Sequence, residues 1–136
     1  MIVDSSALVE AYTSSTPDDE LLGALESGDL HAPHLLELEF ASVLRGLALG
    51  KKLDAQVAEE ARQLYAETWI QLQPVTGLID RIWELRHNFT PYDAAYIVLA
   101  EALEMPLVTC DAKLLPEQGN KRLHGAEVLL YPKTAQ

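Results

Sequence analysis

The chain has 136 residues, 49% of them apolar and 23% charged, which suits one domain, residues 1–136, that buries its own core without staples. Its 21 acids against 10 lysines and arginines leave a net charge of −11, which excludes a broadly basic face for nucleic acid, because phosphate neutralisation drives most such binding. One cysteine, Cys110, excludes an internal disulfide, and no apolar run approaches the ~20 residues of a membrane helix.

Met1–Val3 reads as a first strand, closed by Asp4. Ser5 to about Tyr12 follows as a short helix opened by hydroxyl residues that suit an N-cap. Thr16-Pro17-Asp18-Asp19-Glu20 is a helix start with Thr16 as cap, Pro17 as first helical residue and acids over the positive dipole end; the helix is expected to stop at Gly28. Leu30–Pro33 is a second strand. A long helix is expected from near His34 to Leu49, with Leu35, Leu38, Ala41, Val43, Leu44 and Leu47 at helical spacing. Gly50 ends it and Lys51-Lys52 makes a basic turn. Asp54 caps a helix running to about Trp69, Ile70–Pro74 brackets a third strand, and Gly77–His87 is helical.

Thr90-Pro91-Tyr92-Asp93 is a second helix start, with Thr90 as cap and Pro91 at the first position. It accounts for Thr90 better than the glycosylation sequon that Asn88-Phe89-Thr90 also spells. The helix beyond it, to Glu104, is alanine-rich and aliphatic, hence expected to be buried on most sides. Pro106–Cys110 is a fourth strand, Asp111–Leu115 opens a short helix, and Glu127–Tyr131 is expected as a fifth strand at the sheet edge. Strands alternating with helices predict an α/β fold with a mostly parallel sheet covered on both faces.

Asp4 and Asp111 therefore end candidate parallel strands, the edge at which ligands bind in open α/β sheets. Glu39 and Glu37 share one helix but lie about 200° apart, so one cleft can take only one of them. Asp93 is the third residue of its helix, where a capping box with Thr90 is as good an account as a site role. Four carboxylates in one cleft repel, at roughly 4 kcal/mol for a pair ~4 Å apart with an effective dielectric of about 20. A hard divalent cation removes that cost, so a metal site is expected. Ser6 and Thr109 can orient a carboxylate through their hydroxyls. Lys113 is the best-placed cation for a cleft rim, and Tyr92 and Tyr96 can stack on a base or pack in the core. His31, His34, His87 and His124 lack zinc-ligand spacing, and Cys110 in a buried strand is not expected to act as a nucleophile.

Four segments, Met1–Val9, Ala32–Arg45, Arg86–Tyr96 and Leu107–Leu114, resemble in order and spacing the four motifs of PIN-domain proteins, and most of all the bacterial VapC-type toxin ribonucleases. The resemblance implies a three-layer α/β/α sandwich with about five strands. It also implies a Mg²⁺- or Mn²⁺-dependent endoribonuclease that leaves a 5′-phosphate and a 3′-hydroxyl. Its implied metal ligands are Asp4, Glu39, Asp93 and Asp111, with Thr109 as the hydroxyl residue two before the last acid. Lys113 and Tyr92 are the substrate-binding candidates. The implied partners are an RNA substrate, a VapB-type antitoxin and a second copy of the chain. The negative charge suits a basic antitoxin segment.

Two rivals stand beside that reading. A PIN-like binding module without catalysis does not need all four acids. A metal-dependent α/β phosphatase of the haloacid-dehalogenase kind needs Asp-x-Asp after its first strand, where this chain has Asp4-Ser5-Ser6. No signal-peptide pattern opens the chain, so a cytoplasmic setting is expected.

Overall fold

In a computed structural model describing residues 1–114, 122–123 and 125–133, six strands form one sheet. They are β1 (Ile2–Val3), β2 (His31–Pro33), β3 (Gln71–Gln73), β4 (Leu107–Thr109), β5 (Arg122–Leu123) and β6 (Ala126–Leu130), in the order β3-β2-β1-β4-β6-β5. Every pairing is parallel except β5 with β6. The helices are α1 (Ser5–Thr13), α2 (Asp19–Glu26), α3 (Leu36–Leu49), α4 (Ala55–Glu67), α5 (Ile79–Glu84) and α6 (Pro91–Leu103). α6 packs on β1, β2, β4 and β6 with α5 against it, while α1 packs on β4 with α2, α3 and α4 around it. This is the expected sheet flanked by helices. Among the described residues no helix is long and apolar enough to cross a membrane.

The central strands are apolar on both faces because both faces are covered. Ile2, Val3, Leu107 and Val108 are fully buried. α6 reads as expected: Ala94 through Ala100 are all buried, and its alanines let the helix lie close to the sheet. Phe40 of α3 joins the two covering helices, stacked on Tyr65 of α4 at 4.5 Å between ring centres and edge-on to Tyr12 of α1 at 6.5 Å.

Several expectations shift. The two Thr-Pro starts behave differently. Thr90 does cap α6, accepting from the Asp93 N–H at 3.2 Å, but α2 is capped by Asp18, not Thr16, with Pro17 ahead of the cap. The Asp18 carboxylate accepts from the N–H groups of Glu20 and Leu21, and a charged acceptor binds those donors more strongly than a hydroxyl. The buried stripe of α3 is Leu36, Phe40 and Leu44, whereas Leu38 is 78% exposed and Val43 42%. Helical spacing alone is satisfied by either stripe. Residues 76–87 are not one helix: a 3-10 turn, Thr76–Leu78, precedes the short α5. The 115 end of the expected Asp111–Leu115 helix lies outside the described residues, which include the 3-10 turn Ala112–Leu114.

The last expected strand is not the edge. β5 covers its outer side, with Arg122 opposite Glu127 and Leu123 opposite Ala126. A two-residue strand carries no alternation to detect. Gly125 turns the chain between them at φ +93°, a left-handed conformation that glycine adopts without steric cost.

Candidate active site

The strand order reverses at β1, since β2 and β3 lie on one side and β4 and β6 on the other. That switch point opens a crevice at the strands' C-terminal ends. Asp4 leaves β1 there, its N–H donating to the Val108 carbonyl at 3.3 Å. Asp4 is also the N-cap of α1. Its Oδ1 accepts from the Ala7 N–H at 3.0 Å and from the Ser6 hydroxyl at 2.7 Å. Its Oδ2 accepts from the Thr109 hydroxyl at 2.5 Å. A carboxylate offers about four lone-pair sites, so three are occupied and one, on Oδ2, is left for a further partner. Burial pushes the Asp4 carboxyl up to about 6, against the lowering effect of these three bonds and with a small addition from Asp111.

Thr109 is fully buried and ties the two strands' acids together. It donates to Asp4, while its oxygen accepts from the Asp111 N–H at 2.9 Å. Ser6 donates to Asp4 and accepts from the Cys110 N–H at 2.9 Å. The Ser6 and Thr109 oxygens are 3.2 Å apart, but both hydroxyl protons already point at Asp4. A hydrogen bond between the two hydroxyls therefore gains a proton only when Asp4 itself is protonated.

The other acids come from helices and a turn. Glu39 on α3 is half-buried and accepts from the Tyr96 hydroxyl at 2.5 Å. Burial raises its carboxyl, the Tyr96 bond opposes that, and Asp93 adds to the rise. Glu37, on the other side of α3, is exposed, as the helical angle requires. Asp93 is raised by burial and by Asp111, and lowered by Lys113 and Thr90. Its N–H is capped by the Thr90 hydroxyl, which also bears on its carboxylate, so the acid is both part of the helix start and a lining residue of the cleft. Asp111 accepts from the Lys113 N–H at 2.9 Å.

Asp4, Ser6, Glu39, Asp93 and Asp111 line one cleft of about 540 Å³. Lys113 and Tyr92 do not line it: both are exposed, although Lys113 is close enough to lower Asp93. Tyr96 is 2% exposed and is held by Glu39, so it is a buried support and not a stacking platform. Glu10, Lys52 and Lys133 also line the cleft; of these the sequence offered only Lys52, whose basic turn Lys51-Lys52 is among the candidate cations for RNA. Glu10 was detectable, because Ser6, Glu10 and Thr13 make a polar stripe at helical spacing on the otherwise buried α1. Nothing in the local sequence marks Lys133.

The donor set is all oxygen, as Mg²⁺ or Mn²⁺ prefers, and Asp4 keeps one lone-pair site for a ligand bond. Among the described residues, no three His, Cys, Asp or Glu side chains stand close enough together to enclose an ion. An ion that retains several waters needs only one or two direct carboxylate ligands. Among the described histidines, His31 is buried between Asp29 and Gln73 while His34 and His87 are exposed; His124 lies outside the described residues. Burial pushes the Cys110 thiol up to about 12, with Asp4 and Glu10 adding to it, which rules out a ready thiolate.

The PIN domain family model matches residues 1–117. The chain belongs to the PIN-domain family, and within it to the VapC type. It is 41% identical over 114 residues to "VapC ribonuclease Mb0985" of Mycobacterium bovis, an alignment covering 84% of this chain and 87% of that protein. It is 35% identical over 120 residues to "Ribonuclease VapC1" of Mycobacterium tuberculosis, covering 87% and 90%. Among solved structures it is similar to PAE2754 from Pyrobaculum aerophilum, with a TM-score of 0.64, 25% identity, and coverage of 93% of this chain and 88% of that one.

Proposed function

We propose that this PIN-domain protein is the toxin ribonuclease of a VapBC-type module, a single domain over residues 1–136 that hydrolyses RNA phosphodiester bonds with Mg²⁺ or Mn²⁺. The observation that carries the reading is the meeting of Asp4, Glu39, Asp93 and Asp111, from four separate segments, in one cleft at the sheet's switch point. The ribonuclease names of its relatives support the activity. In this reading the four acids hold the metal, and Ser6 and Thr109 fix Asp4 so that its remaining lone-pair site faces the cleft. When bound, the ion makes a coordinated water more acidic and draws electron density from the phosphoryl group. Glu39 and Asp93, on the helix side of the cleft, are the acids offered as acceptors of a proton from the attacking water. Tyr96 holds Glu39 in place. Water attacks phosphorus, the bond to the 3′-oxygen breaks, and the products carry a 5′-phosphate and a 3′-hydroxyl.

The partners in this reading are RNA, a VapB-type antitoxin and a second copy of the chain, in the cytoplasm. Exposed Leu38, Leu49, Trp69 and Trp83 offer apolar surface for the two protein partners. The test is cleavage of cellular RNA by the purified protein with Mg²⁺ or Mn²⁺, and then with excess chelator. Cleavage that survives the chelator rejects the metal mechanism. Growth arrest on expression, relieved by Asp4→Asn, separates a toxin from a housekeeping nuclease.

A further inference from the structure

A second cavity, of about 650 Å³, opens outside the cleft, between α5, the turn that follows it and the start of α6. Ile79, Ile82 and Trp83 reach it from α5 at helical spacing, and Phe89 adds a further apolar face. Thr90 lines this cavity, while its hydroxyl accepts from the N–H of Asp93, which lines the acidic cleft. The first turn of α6 thus borders both cavities, and on that turn Tyr92 is 63% exposed.

The charge of this cavity is the reverse of the cleft's. The chain carries 21 acids. Five of them, Asp4, Glu10, Glu39, Asp93 and Asp111, line the cleft, and none lines the second cavity, where the titratable groups are Arg86 and His87. Of the α5 acids, neither Asp80 nor Glu84 lines it, and Glu84 is paired with Arg81.

Arg86 is fixed there without a carboxylate to neutralise it. Its guanidinium carbon lies 4.7 Å from the ring centre of Trp83, and its Nη1 donates to the Trp83 carbonyl at 3.0 Å. Among the described residues it is in no ion pair. Its remaining N–H donors form a planar fork of the kind that suits a phosphate. Trp83 is 65% exposed, so ring and guanidinium together present a flat cationic surface to solvent.

We infer that this cavity is an RNA-docking site outside the cleft, where a single strand running from the cleft over the start of α6 stacks a base against the Trp83–Arg86 pair and sets a backbone phosphate on the Arg86 guanidinium. The inference rests on the ribonuclease reading and deepens it, because it assigns a surface that selects among RNAs to residues away from the metal-binding acids. A nucleotide has a flat apolar face and a negative charge, which are the two features this cavity complements. A duplex keeps its base faces stacked and cannot offer one. An exposed tryptophan also suits a second copy of the chain, but an unopposed guanidinium beside it favours a polyanion.

The experiment uses Asp4→Asn protein that also carries Trp69→Phe, so that nothing is cleaved and Trp83 is the remaining tryptophan. A mixed-sequence RNA oligonucleotide is titrated in, alone and as a duplex with its complement. The single strand is expected to quench Trp83 fluorescence and the duplex to leave it unchanged. Trp83→Ala is expected to weaken single-strand binding between about 5- and 150-fold, the range for loss of one base–aromatic stack, with Trp83→Phe restoring most of it. Arg86→Gln should shrink the slope of log affinity against log salt by about 0.7, and Arg86→Lys should keep the slope. In otherwise wild-type protein, Trp83→Ala and Arg86→Gln should each raise KM for the single strand several-fold while kcat does not move. Absence of quenching with KM unchanged in both variants overturns the inference. So does Trp83 emission that follows protein concentration and not RNA, which assigns the cavity to a second copy of the chain. The two readings fail separately. Quenching that depends on Arg86, in a protein whose wild type never cleaves RNA, sinks the catalytic reading alone. Metal-dependent cleavage that neither variant alters sinks this one alone.

Discussion

The two walls of the acidic cleft are built differently. On the strand wall, Asp4 is buried and receives three hydrogen bonds, one of them from Thr109, 105 residues away in sequence. On the helix wall, Glu39 and Asp93 are half-exposed, and Glu39 accepts one side-chain bond, from Tyr96. A carboxylate fixed from three directions can neither move nor be replaced without disturbing its neighbours. One held by a single bond can adjust to an incoming ion. The strand wall thus sets the position of the site, and the helix wall adapts to what binds there.

The largest expected effect tests both walls at once. Asp4→Asn and Glu39→Gln should each lower RNA cleavage at least 100-fold, more than the 10–100-fold typical of a residue that only supports a metal ligand. Single-turnover cleavage with saturating Mn²⁺ measures it; full activity in either variant removes that acid from the site.

Thr109→Val breaks the strand wall without touching a carboxylate. It leaves Asp4 without one donor and the Asp111 N–H without its acceptor. Cleavage should fall 10–100-fold and stability by about 1–3 kcal/mol, with Thr109→Ser restoring most of both. Urea unfolding and metal titration report the two separately, and a fully stable Thr109→Val protein would contradict the buried network.

Tyr96→Phe is the matching cut on the helix wall. It should cost only about 1 kcal/mol of stability but weaken Mn²⁺ binding about 10-fold. Equal Mn²⁺ affinity in the variant and the wild type would show that Glu39 needs no such support.

Both walls should contribute to the pH response in the same direction, since Glu39 and Asp93 are raised as Asp4 is. The folded-state value for Asp4, about 6, lies above the ordinary 3.8, so the folded protein holds this proton more tightly than the unfolded chain. Its stabilising contribution is complete below about pH 4 and is lost as the pH rises through 6, a change of about 3 kcal/mol in metal-free protein. Asp4→Asn should flatten that fall in unfolding curves recorded in chelator; an identical slope in both proteins would mean the carboxyl is not raised. The smallest effect is a control. Glu37→Gln, on the exposed side of α3, should leave cleavage within a factor of two or so.

The acids themselves were readable from their neighbours in the chain. Asp4 and Asp111 follow apolar runs and Asp93 follows Thr90-Pro91, whereas the helical angle says only that Glu37 and Glu39 cannot share a cleft, and the choice of Glu39 came from the resemblance. What could not be read was which of two good local accounts each residue satisfies. Asp4 turned out to be both a cap and a cleft acid, because its two oxygens serve different partners. Asp93 is likewise both a member of the Thr90 helix start and a cleft acid. At α2 the cap is Asp18, two residues beyond the expected Thr16.

The sequence by itself determined the alternation of strands and helices, the buried α6 and the order of the four acidic segments, because these depend on composition and spacing within a few turns of chain. Only the tertiary structure decided that Thr109 bridges Asp4 and Asp111, that Leu38 is exposed while Leu36 is buried, that β5 caps the sheet, and that Lys52 and Lys133 share the cleft with the acids. Those depend on which strand lies beside which, and a pairing between residues a hundred positions apart leaves no periodic trace in either segment.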